Sequence, residues 1–223
     1  MISATEPGDR LPSEPVLARE LGVSRATLRE AMRTYETQGL ILRKQGSGTF
    51  VAHPTQVIDS GLEVLESIET MAERTGLAVS MGQLEFEHRT ANGDEVAAMD
   101  IHPETRVLHL SRTIIADDRP VAYLVDIVPE VYLSPEDVES HFTGSVLDLF
   151  QNRGSPALIS SRTEINAVTA TPAVARNLCI QRVDVLLCLV GYLYGGDDGE
   201  VVDYSFSYFL PGYFRFHVLR RVR

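Results

Sequence analysis

The stretch Val23–Arg33, VSRATLREAMR, places three arginines in a row along one predicted helix. Arg25, Arg29 and Arg33 are spaced four residues apart, so each advances by only about 40° around a helix axis. A separate apolar stripe has the i, i+3, i+4, i+7 spacing of one helix face and consists of Leu28, Ala31, Met32 and Tyr35. The helix therefore has a side for a protein core and a basic ridge beside it. Taken alone, such a ridge fits a solvated helix face as well as a binding surface.

A second, shorter helix is predicted just before this one. Ser13 is a suitable N-cap, Pro15 is tolerated in a first turn, and Gly22 can end the helix in the left-handed conformation. Only Gly22 and Val23 separate it from Ser24, the predicted N-cap of the basic helix. Two helices joined so tightly must cross at a steep angle, which predicts a helix-turn-helix.

A glycine-rich β-hairpin is predicted after the basic helix, which we expect to end at Gly39. Residues 40–44 and 49–51 are strand-like and flank a tip that contains Gln45 and Gly46. Residues 24–46 hold five basic and two acidic side chains. A tight helical turn, a basic second helix and a basic hairpin together favour DNA binding over a merely solvated face.

The composition narrows the class of protein further. The 223 residues carry a formal net charge of −11, and the first 52 of them hold seven basic and six acidic side chains. The acidic remainder argues against broad, non-specific nucleic-acid binding. No apolar run approaches the roughly 20 residues of a membrane span, no signal peptide is visible, and the two cysteines read as reduced thiols. We therefore expect a cytoplasmic protein with no membrane partner.

Catalytic signatures are missing from the sequence. It contains no nucleophile elbow, no phosphate-binding glycine loop and no metal-ligand spacing among its histidines, cysteines and acids. We expect neither an enzyme nor a cofactor.

The segment LPSEPVLARELGVSRATLREAMRTYETQGLILRKQGSGTFV, within residues 8–51, resembles the winged helix-turn-helix domain of GntR-type bacterial transcription regulators. The resemblance implies that Ser24–Arg33 enters the major groove and that the hairpin tip approaches the minor groove. The DNA-binding residues predicted on this basis are Ser24, Arg25, Thr27, Arg29, Arg33, Gln45 and Gly46.

Two departures from that family pattern keep an alternative open. Pro15 stands where the family usually has an arginine, and only Met1–Glu6 precede the matching segment, where the family has a further helix. The alternative is a small-molecule-binding protein or enzyme that has lost DNA binding.

The remaining chain has the pattern of an α+β domain built on a mostly antiparallel sheet. After a linker at 53–60 and a helix over 61–75, the predicted strands are 79–90, 105–116, 120–128, 157–168, 183–194, 200–210 and one near 213–222. Short helices are predicted at 92–98, 134–140, 145–152 and 171–178. The segments TRVLHLSRTIIADDRPVAYLVDIVP and VVDYSFSYFLPGYFRFHVLRR resemble the UTRA effector-binding domain of the HutC branch, whose fold is similar to chorismate lyase. The predicted domains are thus 1–52 and 61–223.

Candidate effector residues come from two arguments. Period-two spacing puts Arg162 and Glu164, with Ser160 and Asn166, on one face of a strand. This face is either the wall of a small-molecule pocket or a face exposed to solvent. The family resemblance implies Arg112 and Asp203. Asp126, which is near the position of a family glutamate, and Tyr208 complete the candidate set. Sugar-phosphate-sensing members carry a second arginine where this chain has Ile114 and a glutamate where it has Leu124. A smaller or more apolar ligand, such as a carboxylate or an amine-bearing metabolite, is therefore favoured.

Together these observations predict a ligand-responsive transcription factor. We expect a homodimeric repressor that reads an inverted repeat in double-stranded DNA and is released by a small-molecule effector.

Overall fold

The fold is described from a computed structural model over residues 6, 8–37, 40–44, 46–51 and 58–220. Its helices and strands, in chain order, are α1 (Glu14–Leu21), α2 (Arg25–Thr37), β1 (Ile41–Lys44), β2 (Gly48–Val51), β3 (Ile58–Gly61), α3 (Ile68–Thr75), β4 (Val79–Thr90), α4 (Gly93–Met99), β5 (Arg106–Ala116), β6 (Arg119–Pro129), α5 (Pro135–His141), α6 (Val146–Arg153), β7 (Leu158–Thr169), α7 (Pro172–Asn177), β8 (Val185–Gly195), β9 (Glu200–Phe209) and β10 (Phe214–His217).

The first four elements form the predicted winged helix-turn-helix. Gly22 ends α1 in the left-handed conformation, with φ of 66°, which a side chain would disfavour. Ser24 then caps α2, because its Oγ accepts a hydrogen bond from the Thr27 N–H at 3.0 Å. The small core that fixes the helices on the hairpin consists of Leu11, Leu17, Ala18, Leu28, Met32, Ile41 and Val51.

The wing is an antiparallel pair of β1 and β2, in register from Ile41 opposite Val51 to Lys44 opposite Gly48. Residues 8–11 run beside β2, since Gly8 donates to the Val51 carbonyl and Leu11 to the Thr49 carbonyl. The predicted helix end at Gly39 and the predicted tip residue Gln45 lie outside the described residues.

A six-stranded antiparallel sheet dominates the second part, in the order β4-β5-β6-β9-β8-β7. The mostly antiparallel α+β prediction is therefore confirmed. Helices α3, α5, α6 and α7 contribute to the apolar clusters on one face, which include Leu110, Leu124 and Phe209. On the other face α4 packs through Met99 against Val107 and Ile127.

The predicted helix over 61–75 is wrong in its first half. Residues 58–61 form β3, which pairs in parallel with β10, and the helix begins only at Ile68. Ser67 starts it by accepting the Thr70 N–H at 3.1 Å, so a local cap overrides the helical spacing of Leu62 and Leu65. Part of the segment predicted as a linker, Ile58–Ser60, is thus a strand, whereas residues 53–57 lie outside the described chain.

Candidate DNA interface and effector cavity

The N-terminal end of α2 presents exposed donors and hydroxyls. Ser24, Arg25 and Thr27 are exposed, and the hydroxyls of Ser24 and Thr27 lie 2.8 Å apart. Among the described residues, Arg25 has neither a hydrogen bond nor an ion pair to the protein's own side chains. Its guanidinium group is therefore available for an external phosphate or base edge.

Arg29 is exposed but already has an acidic neighbour. Its Nε and Nη2 both donate to the Glu14 carboxylate, at 3.3 and 3.1 Å. The same carboxylate accepts a hydrogen bond from Arg43 on β1 at 3.1 Å. Glu14 thus ties the recognition helix to the wing and competes with any phosphate that Arg29 would bind.

Arg33 lies on a different surface from the other two arginines. Its Nη1 is 2.9 and 3.1 Å from the carboxylate oxygens of Asp184, in the second part of the chain, and its Nη2 donates to Glu30 at 2.8 Å. Hydrogen bonds to Glu30 and Asp184 raise the pKa of the Arg33 guanidinium, so it stays charged. The even spacing of the ridge in sequence therefore does not give three equivalent arginines.

Gly46 at the wing tip has φ of 77°, a conformation that L-residues rarely adopt. A Cβ added there would meet no atom within 4 Å. The backbone of the tip is therefore sterically open to a close approach by a ligand such as DNA.

A cavity of about 550 Å³ lies on the helix-covered face of the six-stranded sheet. Its floor is formed by β5, β6, β7, β8 and β9, and its walls by residues 62–69 before and within α3 and by residues 145–147 at the start of α6. Its size is that of a small-molecule site. The described side chains that line it include Glu69, Arg112, Leu124, Asp126, Ser161, Thr163, Leu189, Asp203, Ser205, Ser207 and Phe209.

Arg112 and Asp126 form a buried ion pair in this cavity. Their side chains are joined by a hydrogen bond from Arg112 Nη1 to Asp126 Oδ2, and the guanidinium carbon is 5.4 Å from the centre of the Phe142 ring. The Nε of Arg112 is buried without a hydrogen-bond partner among the described residues. The pair thus neutralises itself while one donor remains unused.

Two further buried carboxyl groups, those of Asp203 and Glu69, line the cavity without an ion pair to a described residue. Asp203 is only 6% exposed, and its Oδ1 has no hydrogen-bond partner in the described chain. Burial raises the pKa of Asp203 well above its usual range, and the charge of Asp126 raises it further. Both carboxylate oxygens of Glu69 are buried without a donor from another described residue, and burial raises the pKa of Glu69 too.

Arg162, Glu164 and Tyr208 do not line this cavity, which corrects their assignment from sequence. Arg162 and Glu164 bond to each other at 2.7 Å on the opposite face of β7, and Arg162 lies 4.3 Å from the centre of the Tyr192 ring. Tyr208 stacks with Tyr123 on that same face. Period two correctly groups Arg162 with Glu164, but it cannot tell which sheet face the helices cover.

Several residues that line the cavity were not predicted from sequence, among them Ser205, Ser207 and Glu69. Ser205 and Ser207 continue the period-two row of Asp203 along β9, a polar alternation within an otherwise aromatic strand. That alternation was a usable signal. Glu69 had none, because it enters the cavity only through the position of α3.

Two family models match the chain. The description "Bacterial regulatory proteins, gntR family" covers residues 2–51, and "UTRA domain" covers residues 74–215. The chain is 27% identical over 177 residues to the HTH-type transcriptional repressor NagR of Bacillus subtilis, spanning 79% of this chain and 72% of that protein. It is 28% identical over 186 residues to the histidine utilization repressor of Pseudomonas putida, spanning 82% and 72%.

The fold also matches a solved structure. The crystal structure of PhnF from Mycobacterium smegmatis superposes with a TM-score of 0.69 at 22% identity, over 100% of this chain and 96% of that one. No helix in the described part of the chain is long and apolar enough to cross a membrane. The chain belongs to the GntR family of bacterial regulatory proteins, in the HutC-type branch that joins a winged helix-turn-helix to a UTRA domain.

Proposed function

We propose that this protein is a ligand-responsive transcriptional repressor that leaves its operator when a small metabolite fills the cavity. The observation that carries the proposal is the coexistence of two features: an exposed Arg25 on the recognition helix, without a partner among the described residues, and a cavity of about 550 Å³ with polar and apolar lining in the second domain. The relatives NagR and the histidine utilization repressor are both named as repressors, which supports repression over activation.

DNA contact is assigned to the exposed end of α2 and the wing. Arg25 reads a base edge or binds phosphate, with Ser24 and Thr27 as hydroxyl contacts and Gly46 at the minor groove. Arg29 joins this set when a phosphate replaces Glu14 as its partner. Arg33 joins it only if its bond to Asp184 opens.

The effector is assigned to the cavity around Arg112, Asp126 and Asp203. Residues 62–69, which form one wall, directly follow β3, the first described element after the DNA-binding domain. A ligand that moves this wall therefore acts on the part of the chain that leads to the recognition helices. Coupling free energies of about 1–3 kcal/mol are typical of such linkage.

A homodimer is proposed on two grounds. Two-fold proteins read inverted repeats, as expected for a repressor of this type. The sheet face opposite the cavity also carries half-buried aromatic side chains, with Tyr204 and Phe206 4.9 Å apart and Phe206 and Tyr208 6.5 Å apart. We assign that face to the subunit contact, and we assign the protein to the cytoplasm without a catalytic role.

The test is a fluorescence-anisotropy titration with duplex DNA from upstream of the protein's own gene, repeated across a salt series. Operator binding should show a steep negative slope of log K against log salt, because phosphate contacts release counterions. Pro15 and the acidic partners of Arg29 and Arg33 favour the alternative, a protein that has lost DNA binding. A flat salt dependence with no preference for upstream DNA would establish that alternative.

A further inference from the structure

We propose that the effector is a small organic cation, a hydroxyl-bearing amine whose ammonium group is bound by the carboxylates of Glu69 and Asp203. This inference rests on the proposed function, because it names the class of ligand that would occupy the same cavity.

The balance of charge in the cavity favours a cationic ligand. Arg112 is the single basic side chain among the described residues that line it, and Asp126 already neutralises it. Of the other acids in the lining, Glu66 pairs with Arg74 and Glu63 accepts a hydrogen bond from the Leu219 N–H, so Glu69 and Asp203 are left as the buried acids without an ion pair in the described chain. An anionic ligand would add negative charge next to two buried acids and would have only an already paired arginine to bind.

The cavity also lacks hydrogen-bond donors for its buried carboxylate oxygens. The Oδ1 of Asp203 and both carboxylate oxygens of Glu69 lack donors among the described residues, although native proteins pair almost all such buried atoms. A protonated amine brings three donors and a positive charge, so it satisfies both deficits. A neutral polyol would supply hydrogen-bond donors but would leave the negative charge unbalanced.

The shape of the cavity favours an organic cation over a metal ion. Among the described residues, no three acids, histidines or cysteines converge closely enough to hold a metal. The cavity of about 550 Å³ is also much larger than a metal site. A Cβ at Gly191 would lie 2.6 Å from Ser205 Oγ, so glycine at this position is what allows the hydroxyl to lie against the floor of the cavity.

Hydroxyl side chains on the floor of the cavity indicate that the ligand carries hydroxyl groups as well as an amine. Ser161, Thr163, Ser205 and Ser207 all line the cavity, and each can donate and accept a hydrogen bond. Leu124, Leu189 and Phe209 complete the floor with apolar surface. A polar amine with a short carbon frame matches this mixture.

Proton linkage provides an independent readout. Burial raises the pKa of both Glu69 and Asp203. The charges of Asp126 and Asp148 also raise the pKa of Glu69, whereas the charge of Arg112 lowers the pKa of both groups. A bound cation favours the ionised carboxylates, so its binding should release protons. A bound anion would favour the protonated forms and should take protons up.

The experiment uses the full chain and two matched series of probes. One is aminopropanediol, glycerol and glycerol phosphate, and the other is glucosamine, glucose and glucose phosphate. Each is measured by thermal denaturation and by isothermal titration calorimetry in two buffers of different ionisation enthalpy. In at least one series the amine should bind at least tenfold more tightly than its neutral and anionic counterparts, with net proton release.

Variants connect the result to the named residues. Asp203→Asn should weaken amine binding at least tenfold. Glu69→Gln, which removes the other proposed carboxylate, should also weaken amine binding at least tenfold. The control Glu130→Gln removes an acid that contacts His88 outside the cavity and should leave amine binding unchanged.

Two results would overturn the inference: the absence, in both series, of an amine that binds at least tenfold more tightly than its neutral and anionic counterparts, or amine binding with net proton uptake. Titration of the same preparations with operator DNA separates the two proposals. If the protein binds operator but no amine, the ligand class is wrong and the repressor stands. If it binds no operator, the proposed function fails whichever probe binds.

Discussion

Replacing Asp184 with asparagine should strengthen operator binding, because Asp184 holds an arginine of the recognition helix away from DNA. Arg33 Nη1 lies 2.9 and 3.1 Å from the two Asp184 oxygens, and the two side chains are 20% and 9% exposed. Asparagine keeps an oxygen that can accept the Gln181 N–H, which now bonds to Asp184 at 3.0 Å. The change therefore removes the charge while it preserves the local turn.

The expected magnitude follows from the type of bond that is lost. A hydrogen bond between charged, partly buried groups contributes about 1.5–3 kcal/mol. Part of this remains when Arg33 turns to water or to Glu30, so about 1–2 kcal/mol should appear as gained affinity for DNA, or roughly 5- to 30-fold. If the freed Arg33 binds a phosphate, the slope of log K against log salt should steepen by about 0.9.

The assay is a fluorescence-anisotropy titration of operator DNA at several salt concentrations, without effector. Glu30→Gln is the matched control, because it removes the other acidic partner of Arg33 within the same helix. The double variant Arg33→Ala/Asp184→Asn should lose the gain. Unchanged affinity and slope in Asp184→Asn, or a gain that survives in the double variant, would refute the reasoning.

Four further outcomes are expected. Arg25→Ala should weaken operator binding about tenfold in the same titration without lowering the melting temperature, because this exposed side chain bonds to none of the described residues. A titration curve like that of the unchanged protein would contradict the assignment of Arg25 to DNA binding. Ile58→Ala should lower the free energy of unfolding in urea by about 2–5 kcal/mol, because Ile58 is 0% exposed, and a change below about 1 kcal/mol would argue against β3 as part of the core. Burial acts to raise the pKa of Glu95, but hydrogen bonds from Arg89 and from a backbone N–H lower it overall. The stability that the Glu95–Arg89 pair contributes is therefore present above the ordinary carboxyl pKa of about 4.3 and is lost as the pH falls through the lower folded value. Glu95→Gln should remove this pH-dependent contribution in urea titrations across acidic pH, and an unaltered pH profile would count against the pair. Burial raises the pKa of Cys188 to about 11, so iodoacetamide followed by mass spectrometry should label the other, exposed cysteine first, and equal labelling would show that Cys188 is accessible.

The order of the elements was largely predictable from sequence. The turn at Gly22, the cap at Ser24 and the strands of the six-stranded sheet follow from local signals such as spacing, capping residues and glycine conformation. The failure at residues 61–67 is also local in origin. Apolar residues there have helical spacing, but the competing cap at Ser67 and the pairing of β3 with β10 decide the outcome.

Local sequence signals were sufficient for the two domain types and for the helix-turn-helix with its wing, because periodicities, caps and motifs are properties of a linear chain. Three of the cavity's charged residues, Arg112, Asp126 and Asp203, came from comparison with the UTRA family pattern and not from any spacing. Packing of the folded chain determines which sheet face the helices cover, and therefore that Arg162 lies outside the cavity while Glu69 lines it. It also decided that Arg33 meets Asp184, 151 positions away. Such contacts depend on how helices and sheet pack around shared apolar surface, and no spacing along the chain records that packing.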